Sequence, residues 1–192
     1  ENHDKIRDMK PRLLVFNFSN DRDPAWIKQR TEETIKALAE STRYHGFANP
    51  AAPAFLQYEV AKYVDLRDNP IPAGREKRNS AKYPRGPQQS TLYAPFFNDE
   101  FVKAYGYEVP NKPGQYYNLH ELINAGIVHE LWFFGIHDDE GAAFETIEFK
   151  QFYGPDGKPL VGKHGPAGNG HPRDMPWSGR SLRVSWFNTN RG

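Results

Sequence analysis

Hydrophobic positions near the amino end of the chain follow first the pattern of a buried strand and then that of a helix. Residues 13–18 form a short apolar run, which is typical of a strand buried on both faces. Asp23 and Pro24 come next, and this pair predicts a helix that begins with Asp as N-cap and Pro at its first position. The inner face of this helix is predicted from residues that recur at helical spacing, namely Ile27, Thr31, Ile35, Leu38 and Ala39.

The middle of the chain repeats the succession of strand and helix. Residues 56–66 alternate between apolar and polar side chains, as in a half-buried strand. Asn118 and Glu121 form an Asn variant of the capping box before an apolar stripe, and Gly126 marks the end of that helix. The segment IVHELWFFG then reads as a strand. A helix and a strand joined so directly are typical of layered α/β sheets.

The carboxyl half of the chain carries the pattern of a hairpin. The segment AAFETIEFKQFYGPDGKPLVG places a Pro-Asp-Gly turn between two strand-like runs, which predicts an antiparallel pair. A last alternating strand has Leu182, Val184 and Trp186 on one face. We also predict a short strand at residues 91–96 and a short helix at residues 99–105.

Together these elements predict an α/β or α+β fold, with a mixed β-sheet flanked by a few helices. The 192 residues fit a single globular domain over residues 1–192. Two Gly/Pro-rich stretches, residues 71–90 and 162–180, are predicted to be long loops. Hydrophobic residues make up 38% of the chain and aromatic residues 14%, so large rings are expected to supply much of the core.

Charge and cysteine usage remove several classes of function. The formal net charge of +1 gives no overall field to attract nucleic acid or anionic lipid, so such binding needs a local patch. The absence of cysteine excludes disulfides, thiolate catalysis and cysteine-ligated metals. No apolar run approaches the roughly 18 residues of a transmembrane segment. The chain starts at Glu1 without an initiator Met; we expect a secreted or periplasmic protein, and a cloned fragment would begin the same way.

Polar side chains gather where two of the predicted strands end. The candidates that follow these strands are Asn20, Asp21, Asp23, His137, Asp138, Asp139 and Glu140. If the two strands are parallel neighbours, these side chains meet at the carboxyl edge of the sheet, where ligands bind in open α/β folds. His137, Asp138 and Asp139 can then hold one divalent ion, Ca²⁺, Mg²⁺ or Zn²⁺, or take part in acid and base catalysis. The alternative is a solvated turn.

Other titratable residues are weaker candidates for the same chemistry. Glu145 follows in the next strand and would have a raised pKa if it faced the crevice, whereas a surface position is the alternative. Arg43 and His45 stand at the end of the first helix, as an anion clamp and a proton carrier or simply as helix caps. His164 and His171 bracket a Gly-rich loop and can join a metal site or stay in solvent.

Four motifs give the chain a resemblance to a group of proteins. In order, STRYHGF, AGIVHELWFFG, FETIEF and LRVSWFNTNRG resemble segments of uncharacterised, extracytoplasmic bacterial proteins with SRYHG-like and DEVW-like motifs. The resemblance implies functional roles for the matching positions Arg43, His45, Glu130, Glu145 and Arg191. His129 stands where that group has Asp, and the group continues with a His and a Glu after the Arg-Gly that ends this sequence.

Two functional hypotheses follow from these features. The first is an extracytoplasmic domain that binds a glycan or peptide at the carboxyl ends of its strands and hydrolyses it, with or without a metal. Its catalytic candidates are Asp138, Glu145, His137, His45 and Arg43. The second is a non-catalytic carbohydrate-binding or surface-structural domain that uses exposed aromatics. The aromatics considered for such a platform, most of which we expect to pack, are Tyr93, Tyr105, Tyr107, Tyr116, Tyr117, Trp132 and Trp177.

Overall fold

A six-stranded sheet organises the computed structural model, which describes residues 8–17, 22–43, 49, 51–66, 77–78, 80–81, 93–135, 146–168 and 175–189. The strands are β1 (Arg12–Asn17), β2 (Glu59–Asp65), β3 (Lys77–Arg78), β4 (Ser80–Ala81), β5 (Glu130–Gly135), β6 (Thr146–Tyr153), β7 (Pro159–Gly168) and β8 (Leu182–Asn188). The α-helices are α1 (Pro24–Ser41), α2 (Val102–Tyr105) and α3 (Leu119–Asn124), with 3₁₀ turns at Ala94–Phe97 and Asp99–Phe101.

The sheet is mixed, as the sequence predicts. Its strand order is β2-β1-β5-β8-β6-β7. The first four of these strands run parallel to one another, whereas β6 is antiparallel to both β8 and β7. With the three helices of the described ranges, this arrangement confirms a mixed sheet of the α+β class.

Helix α1 covers one face of the sheet. The Asp23 side chain accepts a hydrogen bond from the Trp26 amide at 2.7 Å, and Pro24 occupies the first helical position. Because side chains alternate between the faces of a strand, one set of apolar residues from β1 and β5 meets Ile27 of this helix. We call this side the α1 face. The predicted start and inner face of α1 are confirmed at Asp23, Ile27 and Thr31.

A larger aromatic core lies on the other face, under α2, α3 and the 3₁₀ turns. Phe16 of β1 stacks on Phe133 of β5 with ring centroids 4.5 Å apart and an interplanar angle of 9°. The predicted capping box of α3 is present, because Asn118 accepts from the Glu121 amide and Glu121 accepts from the Asn118 amide. Gly126 ends this unit at a φ of 65°, a left-handed conformation that glycine adopts without strain.

The structure corrects two predictions of secondary structure. Ala94–Phe97 forms a 3₁₀ turn, so a strand over residues 91–96 is wrong for the described part of that range. The sequence predicts a second long loop over residues 162–180, and this is wrong for residues 162–168, because Pro159–Gly168 is a strand that pairs with β6. Gly and Pro suggest a loop there, yet both are tolerated on an edge strand, and β7 is at the edge of the sheet. Within the first predicted loop, β3 and β4 pair antiparallel.

The helices of the described ranges are short or strongly polar. None of them is long and apolar enough to cross a membrane. The longest, α1, has 18 residues and packs one side on the sheet. It therefore belongs to the layer that covers the sheet.

Candidate functional site

The carboxyl edge of the sheet has the topology that the metal hypothesis requires. β1 and β5 are parallel neighbours, with Asn17 opposite Phe134. β2 lies on the far side of β1, so the chain order changes direction between β1 and β5, where ligands bind in doubly wound sheets. Asp23 is engaged as the N-cap of α1.

Most of the predicted site residues lie outside the described residues. These are Asn20, Asp21, His45, His137, Asp138, Asp139, Glu140, Glu145, His171 and Arg191. Their convergence, and the metal site formed by His137, Asp138 and Asp139, therefore stay predictions. Among the residues that are described, no three His, Asp or Glu side chains form a group that could hold a metal ion.

Arg43 lies at the opposite end of α1 from Asp23. An 18-residue helix is about 27 Å long, so Arg43 is near the amino edge of the sheet. Its guanidinium pairs with Glu40 at 2.6 Å and donates a hydrogen bond to the carbonyl of Ala52. These contacts tie the end of α1 to the segment before β2. The anion-clamp role of Arg43 stays a prediction.

A cleft of about 630 Å³ opens at the amino edge of the sheet. Its walls come from the residues before β1 and from the facing ends of β5, β6 and β8. The lining residues are Met9, Lys10, Pro11, His129, Glu130, Glu148, Phe149, Lys150, Ser181, Leu182 and Arg183. The lining combines apolar and charged side chains.

Strand register brings three charged residues together in this cleft. Glu130 of β5 is opposite Arg183 of β8, and Arg183 is opposite Glu148 of β6. Glu130 is two positions from Trp132 on β5, and Trp132 packs on the α1 face. Arg183 and Glu148 are aligned with Glu130 in the register, so all three side chains project from the α1 face of the sheet. Because neighbouring strands are about 4.8 Å apart, the Cα atoms of Glu130 and Glu148 are about 10 Å apart.

Glu130 is held in a largely apolar environment. One carboxylate oxygen accepts a hydrogen bond from the Tyr58 hydroxyl at 2.8 Å, and the other accepts from the Trp132 indole N–H at 3.3 Å. Burial raises the pKa of Glu130, and the two hydrogen bonds and the nearby Arg183 oppose that rise without cancelling it. Burial also raises the pKa of Tyr58, with the Glu130 charge as a further cause. Tyr58 therefore keeps its proton and is the hydrogen-bond donor in this pair.

Glu148 is held in the opposite electrostatic environment. Its carboxylate lies 2.8 Å from Nζ of Lys150 and 3.7 Å from Nε of Arg183. The two glutamates on one side of the cleft therefore differ in their partners: Glu130 is partly buried and accepts from Tyr58 and Trp132, whereas Glu148 forms ion pairs with Lys150 and Arg183.

His129 completes the rim of the cleft as a neutral ring. Its Nδ1 accepts a hydrogen bond from the Arg12 amide at 3.0 Å, which leaves the ring proton on Nε2 in the neutral form. Burial lowers the pKa of His129, and Arg12 and Arg180 lower it further. The ring is therefore a hydrogen-bond donor at neutral pH rather than a cation.

Sequence reasoning missed most of this site. Glu130 entered only through the resemblance, and Tyr58, Glu148 and Arg183 were not singled out. Glu130, Glu148 and Arg183 come from three strands and Tyr58 directly precedes a fourth, β2, so strand alternation is the only signal available in the sequence. Alternation predicts that Glu148 and Arg183 point away from the apolar face of their own strands. It does not predict that they lie beside Glu130.

Three of the seven aromatic residues considered for an exposed platform are buried. Tyr93 and Tyr105 are fully buried, and Trp132 is 2% exposed, so the expectation that most of these rings pack is confirmed there. His164 stacks on Trp177 with centroids 4.2 Å apart and an interplanar angle of 6°. That ring contact gives His164 a packing role in the hairpin.

Comparison with known proteins adds no assignment to this geometry. The chain matches no protein-family model, no curated protein and no solved structure. Membership of the group with SRYHG-like and DEVW-like motifs therefore stays a prediction. The chemistry that the site can perform has to follow from its own residues.

Proposed function

We propose that this domain is an extracytoplasmic glycan hydrolase in which Glu130 is the general acid and Glu148 is the partner carboxylate. One observation carries the proposal. Two glutamates share one face of one cleft, and burial raises the pKa of the first whereas two cations pair with the second. Carboxyl groups whose environments differ in this way are the usual acid and base pair of glycoside hydrolysis.

Glu130 has the properties that a general acid needs. Its raised pKa keeps more of it protonated near neutral pH than an exposed glutamate would be. Each carboxyl oxygen has two lone-pair positions, so Glu130 can keep its bonds to Tyr58 and Trp132 and still carry a proton. That proton would be given to the glycosidic oxygen as the bond to the leaving sugar breaks.

Glu148 supplies the second carboxylate. Glu148 pairs with Lys150 and Arg183, and in this proposal its carboxylate activates a water or attacks the sugar carbon itself. The two Cα atoms are about 10 Å apart, and Arg183 of β8 lies between the two glutamates in the strand register. Glu130 bonds to Tyr58, and Glu148 pairs with Lys150 of its own strand, so the two glutamates do not share a proton as the two aspartates of a peptidase do. This favours a glycan over a peptide.

The carboxyl-edge crevice supports a second candidate function. The parallel pairing of β1 with β5 and the change of direction in strand order favour a ligand site there. In that proposal His137, Asp138 and Asp139 hold a divalent ion that assists hydrolysis. Metal content distinguishes it from the first candidate, because the Glu130 cleft needs no metal for its chemistry.

The test is release of reducing ends from a panel of neutral and acidic polysaccharides, with and without chelator. We expect cleavage by the wild-type protein that resists chelation and falls at least about a hundredfold in Glu130→Gln and Glu148→Gln. Glu59→Gln is the matched control, because Glu59 is exposed at the start of β2 and outside the cleft. Equal cleavage by Glu130→Gln and the control would overturn the assignment, and binding without cleavage would favour a carbohydrate-binding module.

A further inference from the structure

The β6–β7 hairpin extends past the rest of the sheet as a two-stranded arm. β8 pairs with β6 only over Thr146–Phe149. Beyond that point β6 continues to Tyr153 and pairs with β7 alone. Four further residues correspond to about 13 Å of strand. We call residues 150–164 the arm, and it leaves the sheet at the amino edge because β6 runs antiparallel to β8.

Side-chain and turn hydrogen bonds link the two strands of the arm. The Gln151 side-chain amide donates to the carbonyls of Phe152, Leu160 and Lys163 at 2.8, 2.8 and 3.0 Å. At the tip, the Gly154 amide donates to the Lys158 carbonyl at 2.8 Å, and the turn that links them is closed by further bonds. Isolated two-stranded hairpins are marginal in water, so these bonds help to fix the shape that the tip presents.

The arm carries most of the large apolar side chains that the described residues expose. Val161 is 96% exposed, Tyr153 59%, Phe152 47% and Leu160 44%. Elsewhere in the described part of the chain, the large hydrophobic residues exposed to this extent are Met9 and Phe55. Exposed apolar side chains that gather at one protruding tip indicate an interaction surface.

Lysines lie along the arm from its base to its tip, where Lys150 pairs with Glu148 and Lys158 with Asp156. The arm carries Lys150, Lys158 and Lys163 against the single acidic residue Asp156. The side chains of Lys150 and Lys158 are 53% and 82% exposed. The whole chain has a net charge of only +1, so the arm is a local cationic patch. Cations beside exposed apolar side chains match the interface of an anionic bilayer.

The edge of β7 is poorly suited to another strand. Gly162 has a φ of 69°, which bends the edge, and Pro159 and Pro166 provide no amide hydrogen for pairing. These are features by which proteins prevent strand addition. The apolar tip rather than the strand edge is therefore the surface to be covered, and a second copy of the chain would not be added through β7.

We propose that the arm docks on an anionic lipid bilayer, with its apolar tip in the interface and its lysines at the headgroups. Lys150 also lines the Glu130 cleft, so docking would hold the mouth of the cleft near the membrane surface. Lipid binding is independent of the proposed hydrolysis. Loss of one in a variant does not require loss of the other.

The experiment is co-sedimentation of the full chain with phosphatidylcholine vesicles that contain or lack about a quarter phosphatidylglycerol. We expect binding to the anionic vesicles only, weakened by raising NaCl from about 0.1 to about 0.5 M. Leu160→Glu/Val161→Glu should lower the partition coefficient at least about tenfold. Phe55→Glu is the matched control, because it places the same charge on an exposed apolar position outside the arm.

Three outcomes would overturn the proposal. The first is equal sedimentation of the arm variant and the Phe55 control, provided that both keep the wild-type circular dichroism and melting temperature. The second is no binding of the wild-type protein to anionic vesicles at low salt. The third is a wild-type dimer in light scattering that the arm variant abolishes, with no lipid binding, because a second copy would then cover the tip.

Discussion

Replacing Tyr58 by Phe removes one hydrogen bond from the buried carboxylate of the cleft. The Tyr58 hydroxyl donates to Glu130 at 2.8 Å, and this bond lowers the pKa of Glu130 against the rise caused by burial. Tyr58→Phe keeps the ring that packs against Trp132 at a centroid distance of 5.5 Å. The substitution therefore isolates the hydroxyl while leaving the apolar contact in place.

The size of the effect depends on the charge of Glu130. A hydrogen bond to a charged group contributes about 1.5–3 kcal/mol to the free energy of unfolding, and one between neutral groups about 0.5–1.5 kcal/mol. Tyr58→Phe should therefore cost about 2 kcal/mol where Glu130 is ionised and about 1 kcal/mol where it is protonated. Because its pKa is raised in the folded state, Glu130 makes wild-type stability fall as pH rises from 4.5 through its folded pKa. The variant, with a still higher Glu130 pKa, should fall further.

Urea denaturation between about pH 4.5 and pH 8 measures this difference. The stability curves of wild type and Tyr58→Phe should diverge as pH rises, and in a Glu130→Gln background they should run parallel. Tyr63→Phe is the matched control, because Tyr63 of β2 packs on the same side of the core as Tyr58 and is not a hydrogen-bond partner of Glu130. A Tyr58→Phe curve parallel to wild type at every pH would refute the reasoning about Glu130.

Three further predictions concern other parts of the molecule. Asn118→Ala removes the acceptor that caps α3 and should lower the free energy of unfolding by about 1 kcal/mol in urea; no change would mean that the cap is not needed. Gly135→Ala would place a Cβ 2.5 Å from the Trp186 ring. It should lower the melting temperature, because overpacking lowers the free energy of unfolding by about 1–3 kcal/mol. Gly165→Ala, whose nearest atom is at 3.4 Å, should change the melting temperature much less. If His137, Asp138 and Asp139 bind a divalent ion, elemental analysis should find it in stoichiometric amount and chelation should lower the melting temperature. A metal-free protein with no shift would leave those residues as a turn.

Local signals in the sequence were enough to place the elements that form within a few residues. The Asp23-Pro24 start of α1 and the capping box at Asn118 depend on bonds across three positions. The hairpin of β6 and β7 depends on the turn that joins them. In each case the residues that make the structure are neighbours in the chain, so the pattern and the bond coincide.

The Glu130 cleft could not be predicted in the same way. Tyr58 and Glu130 are 72 positions apart, and Arg183 lies between two glutamates only because of the register of three strands. No local pattern specifies that register. At Phe96 a local pattern was present but predicted the wrong element. The aromatic run is typical of a strand, whereas Ala94–Phe97 is a 3₁₀ turn that packs Phe96 against Phe16 and Phe133.

The most direct test of the central claim is the pH dependence of glycan cleavage by the wild-type protein and Glu130→Gln on the same polysaccharide. If Glu130 is the general acid, wild-type cleavage should decline at a pH above the ordinary glutamate value of 4.5, because burial delays the loss of its proton. Glu130→Gln should still bind the polysaccharide but lose nearly all cleavage. The cleavage that remains should not show that decline with pH. Cleavage by Glu130→Gln at the wild-type rate and with the wild-type pH profile would contradict the account.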